Sequence, residues 1–156
     1  MKTLRDLLDI AIQQEIDSQK LYRYGMEIVS DEKAREFLKQ LAEEEVRHEN
    51  TLINIKETEL YDLDVAVEDE AVFQNTLDSH GENVVELDKK LTVEDILEIA
   101  LKREFAAGNV FAAAAKAARD EELITLFENL AKEEDIHHQR VEKEYRLLTG
   151  QMGEEL

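Results

Sequence analysis

Apolar side chains recur along this chain at helical spacing in four long stripes, interrupted by one irregular stretch. Leu4, Leu8, Ala11, Glu15, Ser18, Tyr22, Met26 and Val29 stand three or four residues apart, which places them on one face of a helix. Thr3, with Asp6 three residues on, reads as the capping box of that helix, and Ser30-Asp31 as a turn and the N-cap of a second. The second stripe is Ala34, Leu38, Leu41, Glu45, His48, Leu52 and Ile55. Thr92 and Asp95 repeat the first cap and open a third, formed by Val93, Leu97, Ala100, Glu104, Ala107, Phe111, Ala114 and Ala118. A fourth helix is expected from near Glu121 to near Gly150, with Leu123, Leu126, Leu130, Glu134, His137, Val141 and Leu148 on its apolar face. Short turns within each pair predict antiparallel packing.

Residues 61–91 lack this period. So long a loop in a compact domain needs a role, and in a four-helix bundle that role is a crossover along the bundle. A short helix is expected within it around Asp69 to Leu77, with a turn at Gly81; its acids do not follow the spacing of a calcium loop. The tail QMGEEL is too short for a fifth helix. The expected organisation is all-α and a single domain over 1–156: a helix pair at 3–60, the crossover at 61–91 and a second pair at 92–150.

Composition narrows the picture. There is no proline, and the chain is rich in Ala, Leu, Glu and Lys, which favours long helices. A net charge of −19 argues against binding nucleic acid or an anionic membrane, both of which reward a basic face. With no cysteine there is no disulfide, thiolate metal site or cysteine nucleophile. The N-terminus MKTLRDLLDIAIQQE is amphipathic and acidic, unlike a signal peptide or membrane span, so a cytoplasmic location is expected.

The two helix pairs are copies of one another. Aligned without a gap, residues 3–50 and 92–139 share 13 identities, an internally duplicated helical hairpin. Among them is an E-x-x-H motif, Glu45 with His48 and Glu134 with His137, whose members share a helix face. The same offset of 89 residues relates Glu15 to Glu104, each mid-stripe on the preceding helix. One E-x-x-H on a Glu-rich helix is common by chance; two in register, each with a stripe Glu, form the ligand inventory of a di-metal carboxylate site in a four-helix bundle.

Charge supports that assignment. Four carboxylates at one depth of a core would lose hydration and repel one another, at several kcal/mol each unless paired or protonated. No Lys or Arg falls on the stripes at that level. Two divalent cations would neutralise four Glu with two neutral His, and oxygen-rich ligation with one imidazole per metal suits iron or manganese. Glu15 and Glu104 would each cap one metal, Glu45 and Glu134 would bridge, and His48 and His137 would complete one metal apiece. Tyr22, two turns beyond Glu15 on the same face, is a candidate for hydrogen bonding to a ligand or for redox chemistry, though such a tyrosine is more often core. His80 and His138 read as surface residues, and Glu43, Glu44 and Glu133 as solvated acids. The run AAGNVFAAAAKAA leaves room for a channel, or equally for close helix packing.

With these motifs the chain resembles the ferritin-like di-iron carboxylate superfamily and, within it, rubrerythrin. The resemblance implies a ferritin-like antiparallel four-helix bundle in which Glu15, Glu45, His48, Glu104, Glu134 and His137 hold two iron ions. It implies a di-iron oxidoreductase that reduces hydrogen peroxide or dioxygen in response to oxidative stress, with Tyr22 matching a tyrosine common in the family. Alternatives are a ferroxidase or iron-storage protein and a metal-free partner-binding bundle. The chain departs from the family pattern in two ways. Rubrerythrins usually carry an extra carboxylate three residues after the third-helix Glu, where this chain has Ala107 and, in the other half, Ser18. The cysteine-ligated rubredoxin domain is also missing, so a separate rubredoxin-like protein would have to donate electrons. A homodimer is the expected assembly.

Overall fold

A computed structural model describes residues 1–74 and 91–150. Four helices account for most of them: α1 (Leu4–Ile28), α2 (Glu32–Thr58), α3 (Val93–Ala117) and α4 (Glu121–Leu148). Both threonine caps form. Asp6 N donates to Thr3 Oγ1 at 3.3 Å while Thr3 N donates to Asp6 Oδ2 at 2.9 Å, and Thr92 and Asp95 repeat the exchange at the start of α3. Asp31 caps α2 by accepting from Lys33 N. At its other end α2 stops on Glu59, whose φ of 55° lies in the left-handed region that ordinarily favours glycine at such a cap.

Connections at residues 29–31 and 118–120 turn each hairpin back on itself, so α1 packs on α2 and α3 on α4. The hairpins join chiefly through α1 against α3. Gly25 lets this junction close, because a Cβ there would stand 2.9 Å from Leu38 Cδ1 and 3.4 Å from Ile96 Cγ2. The result is the ferritin-like four-helix bundle.

Its apolar core comes in two pieces. One gathers Leu4, Leu8, Leu52, Val110, Phe111 and Phe127 with their neighbours. The other gathers Leu21, Tyr22, Leu38, Leu41, Ile96 and Val141. On every helix the residues between the two pieces are the polar ones: Glu15, Glu45 and His48, Glu104, Glu134 and His137, all buried. A belt of ionisable groups thus divides the core at one level.

The fourth stripe differs from expectation. Phe127, not Leu126, is the fully buried residue, and Leu126 is only partly buried. Leu148 is 51 % exposed, because the last turn of α4 runs beyond the core. Met26, Ala34 and Val93 are also only partly buried, at the margin of the second core piece.

The first part of the crossover is extended. Leu63, Val65 and Val67 are buried alternately with exposed or half-buried neighbours, and the segment lies against the start of α1. Leu4 N donates to Val65 O at 2.9 Å, Arg5 N to Leu63 O at 2.8 Å and Val67 N to Lys2 O at 3.0 Å. Helix resumes at residues 71–74, within the predicted Asp69–Leu77 segment; the rest of that segment, Gly81, His80 and the tail 151–156 lie outside the described residues. Among the described residues no helix is long and apolar enough to cross a membrane.

Candidate metal centre

The six sequence-predicted residues meet at the polar belt, each from the middle of its helix. Their donor atoms form two groups: Glu15, Glu45, His48 and Glu134, and Glu45, Glu104, Glu134 and His137. Within each group one donor atom per residue lies within 4.8 Å of all the others. Glu45 and Glu134 belong to both, the arrangement expected of bridging carboxylates. His48 Nδ1 stands 3.0 Å from Glu134 Oε1 and 3.6 Å from Glu15 Oε2. His137 Nδ1 stands 3.1 Å from Glu45 Oε1 and 3.6 Å from Glu104 Oε2. The imidazoles stack with ring centres 5.8 Å apart, and both present Nδ1 to the carboxylates.

The donors fit a pair of cations. Both oxygens of Glu15, both of Glu134, Glu104 Oε2 and His48 Nδ1 are buried and make no hydrogen bond. Buried polar atoms without partners are rare in folded proteins, and a concentration of them around shared carboxylates is the chemistry of a metal site. Protonation shows the same frustration. Burial, then the charges of Glu104 and Glu15, raise the Glu134 carboxyl well above the ordinary range. Burial also raises Glu15, against the pull of His48. Glu104 goes the other way: burial pushes it up, but the close approach of Glu134 and His137, the His137 charge and the Tyr22 hydroxyl together outweigh burial and lower it. One carboxyl is thus stabilised as an anion while its neighbours are driven toward the neutral form.

Three further side chains shape the site. Tyr22 is fully buried and its hydroxyl donates to Glu104 Oε1. Burial first, then the Glu104 charge, hold the phenol well above its usual range, so it keeps its proton. Its counterpart in the repeat, Phe111, meets His48 edge-on with ring centres 6.3 Å apart and no polar atom, which makes the two sides of the belt chemically unequal.

Glu44 and Glu133, expected to be solvated, are instead half-buried behind the histidines. Glu44 Oε2 faces His137 Nε2, and Glu133 Oε2 stands 3.6 Å from His48 Nε2. A carboxylate behind a ligand histidine fixes its tautomer and ring orientation. Arg47 and Arg140 hold these carboxylates from outside. The signal was present in the sequence, since Glu44 and Glu133 occupy the same position of the two repeats.

Arg103 corrects the expectation that no cation lies at this level. It is 4 % exposed and reaches across to α1, where Nε donates to Ser18 Oγ at 3.0 Å and Nη2 to Gln14 O at 2.8 Å. Its burial lowers its pKa, against the opposing charges of Asp17, Glu104 and Glu15. Buried Asp17 contributes the largest of these opposing charges, ahead of Glu104 and Glu15, so one arginine is shared between Asp17 and the belt and does not balance its four carboxylates. Ser18 is thereby engaged with Arg103, and Ala107 is buried in the apolar core. Neither supplies an additional ligand.

The fold has a counterpart among solved structures, described as a hypothetical protein from Pyrococcus furiosus. It aligns with a TM-score of 0.71 and 25 % identity over 94 % of this chain and 90 % of that one. A comparison with curated proteins gives no match. The family described as Rubrerythrin matches residues 4–89 and 95–155, nearly the whole length and all six belt residues. The chain therefore belongs to the rubrerythrin family.

Proposed function

We propose that the protein is a non-haem di-iron oxidoreductase that reduces hydrogen peroxide. The observation that carries this reading is the pair of buried donor groups sharing Glu45 and Glu134, with both oxygens of Glu15 and of Glu134 and Oε2 of Glu104 left without hydrogen bonds. Glu15, Glu45, His48 and Glu134 would hold one ion, and Glu45, Glu104, Glu134 and His137 the other. When bound, two ferrous ions supply the two electrons that, with two protons, convert one peroxide to two waters. Manganese fits the same donors.

The protein's own contribution is to set charge and position. The two apolar core pieces keep bulk water from the belt. Glu44 and Glu133 aim the imidazoles, and Tyr22 fixes one oxygen of Glu104 while keeping a proton close to the site. Electrons for repeated turnover come from a donor of the rubredoxin kind.

A second reading, ferroxidase chemistry with dioxygen, draws on Ala107 and Ser18, which leave neither half with the extra carboxylate usual in this family. Anaerobic stopped-flow mixing of the diferrous protein separates the two. Faster oxidation by peroxide than by dioxygen supports the peroxidase; the reverse order supports the ferroxidase. Failure of the wild-type protein to retain iron or manganese after metal-supplemented expression would remove both.

A further inference from the structure

The internal repeat lets each residue around the belt be compared with its counterpart, and the two outer faces differ. Between α1 and α2 the groove over Glu15 is shut. Gln19 is 6 % exposed, and its Nε2 donates to Glu49 Oε1 at 2.7 Å, tying the two helices together. Between α3 and α4 the counterpart of Gln19 is Gly108 and that of Glu49 is His138. A cavity of about 350 Å³ stands there, lined by Glu104, Phe105, Gly108, Ala131, Asp135 and His138 among others.

Backbone geometry does not require this glycine. Residue 108 sits inside α3, and a Cβ added to it would meet only Glu134 Cβ, at 3.8 Å, an ordinary contact. Glycine in a helix interior is less stable than alanine by roughly 0.5–1 kcal/mol. What it provides here is space, and that space ends on a belt residue: Glu104 is 2 % exposed, lines the cavity, and has an Oε2 with no hydrogen bond. Asp135, which accepts from Gln139 Nε2 at 3.0 Å, adds a carboxylate to the wall, and His138 adds an imidazole.

Building on the di-metal reading, we propose that the cavity over Gly108 is the inlet through which divalent cations reach the belt. Asp135 and His138 take the incoming ion and Glu104 Oε2 receives it, while the Gln19–Glu49 bond keeps the opposite face shut. Loading is therefore one-sided in a site whose ligands are two-fold related. The chain's large negative charge raises the cation concentration at the mouth.

The test is uptake of Co2+ by metal-free protein, followed by stopped flow through the visible absorption of the bound ion and closed by a count of ions per chain. Gly108→Gln, which copies the plug of the other face, should slow uptake by at least ~10-fold with the final count unchanged. Gln19→Gly should speed it, and Asp135→Asn with His138→Ala should slow it without closing the inlet. Should Gly108→Gln fail to fold, Gly108→Met serves as the plug. Wild-type uptake by a folded plug variant overturns the proposal, as does slower uptake in Gln19→Gly. Two cobalt ions bound at the same rate in plugged and wild-type protein would remove only the inlet; no cobalt bound by the wild type would remove the metal site itself.

Discussion

Replacing Arg103 by Gln, the residue at its repeat position, isolates the buried pair from the metal chemistry. The arginine makes two hydrogen bonds across the α1–α3 junction, at 3.0 and 2.8 Å, and is the buried counter-charge of Asp17. Glutamine can restore part of the hydrogen bonding but none of the charge. Removing one partner of a buried ion pair costs about 3–5 kcal/mol, a large share of the ~5–15 kcal/mol that stabilises a domain. At ~2–4 °C per kcal/mol for a chain of this size, the melting temperature of metal-free protein should fall by about 6–20 °C. Asp17→Ala alone, which also copies the other half, should be destabilising because Arg103 then stays buried without its main counter-charge. Combining the two restores the net charge of the belt, and stability should return to within about 1 kcal/mol of the wild type. Urea titration of the four metal-free proteins closes this cycle. A change below ~1 kcal/mol for Arg103→Gln, or two losses that simply add in the double variant, would refute the pairing.

Other consequences are accessible to simpler measurements. Because burial and neighbouring anions raise Glu134 and Glu15, their contribution to the stability of metal-free protein is whole below the unfolded value of 4.5 and is lost as pH rises through the folded values. Its melting temperature should therefore decline from pH 5 upward, and Glu134→Gln should flatten the decline; an unchanged slope would count against a frustrated carboxylate. Tyr22→Phe copies Phe111 in shape and removes the bond to Glu104 Oε1, so the fold should persist while cobalt absorption shifts; an identical spectrum would exclude that contact. Glu44→Gln or Glu133→Gln should weaken metal binding by roughly 10–100-fold through loss of histidine orientation, as read by competition with a chelator; unchanged affinity would leave both as surface acids. Glu59→Gly should raise stability by about 1 kcal/mol, since the left-handed cap penalises any residue with a Cβ; a loss in urea titration would contradict that strain.

The meeting of the six belt residues at one level was legible in the sequence because helical period and duplication constrain the same residues twice. Glu15, Glu45 and His48 have counterparts at one offset, and only one depth in a bundle satisfies both sets. The same offset also finds what a single stripe missed: Leu38 maps to Phe127, the residue that fills the core where Leu126 had been expected. Glu44 and Glu133 escaped notice because they flank the stripe, and reach the histidines only across the bundle. Arg103 stands three residues after Ala100 and four before Ala107, at stripe spacing, but its place beside Glu104 drew attention away from it, and its partners Ser18 and Gln14 lie on another helix. The crossover was partly readable: DLDVAV alternates at the period of an extended strand, but its docking on α1 depends on backbone donors at Leu4 and Arg5 that no pattern displays.

The duplicated hairpin also bears on how the domain holds together. Each donor group draws three residues from one hairpin and one from the other: Glu134 reaches into the first set, Glu45 into the second. On the proposed assignment, each ion is a cross-link over the seam between two half-proteins, and neither hairpin has a complete coordination set of its own. Binding energy at the belt then acts as a latch on quaternary-like docking inside a single chain, and removing the ions loosens the seam before it unwinds the helices.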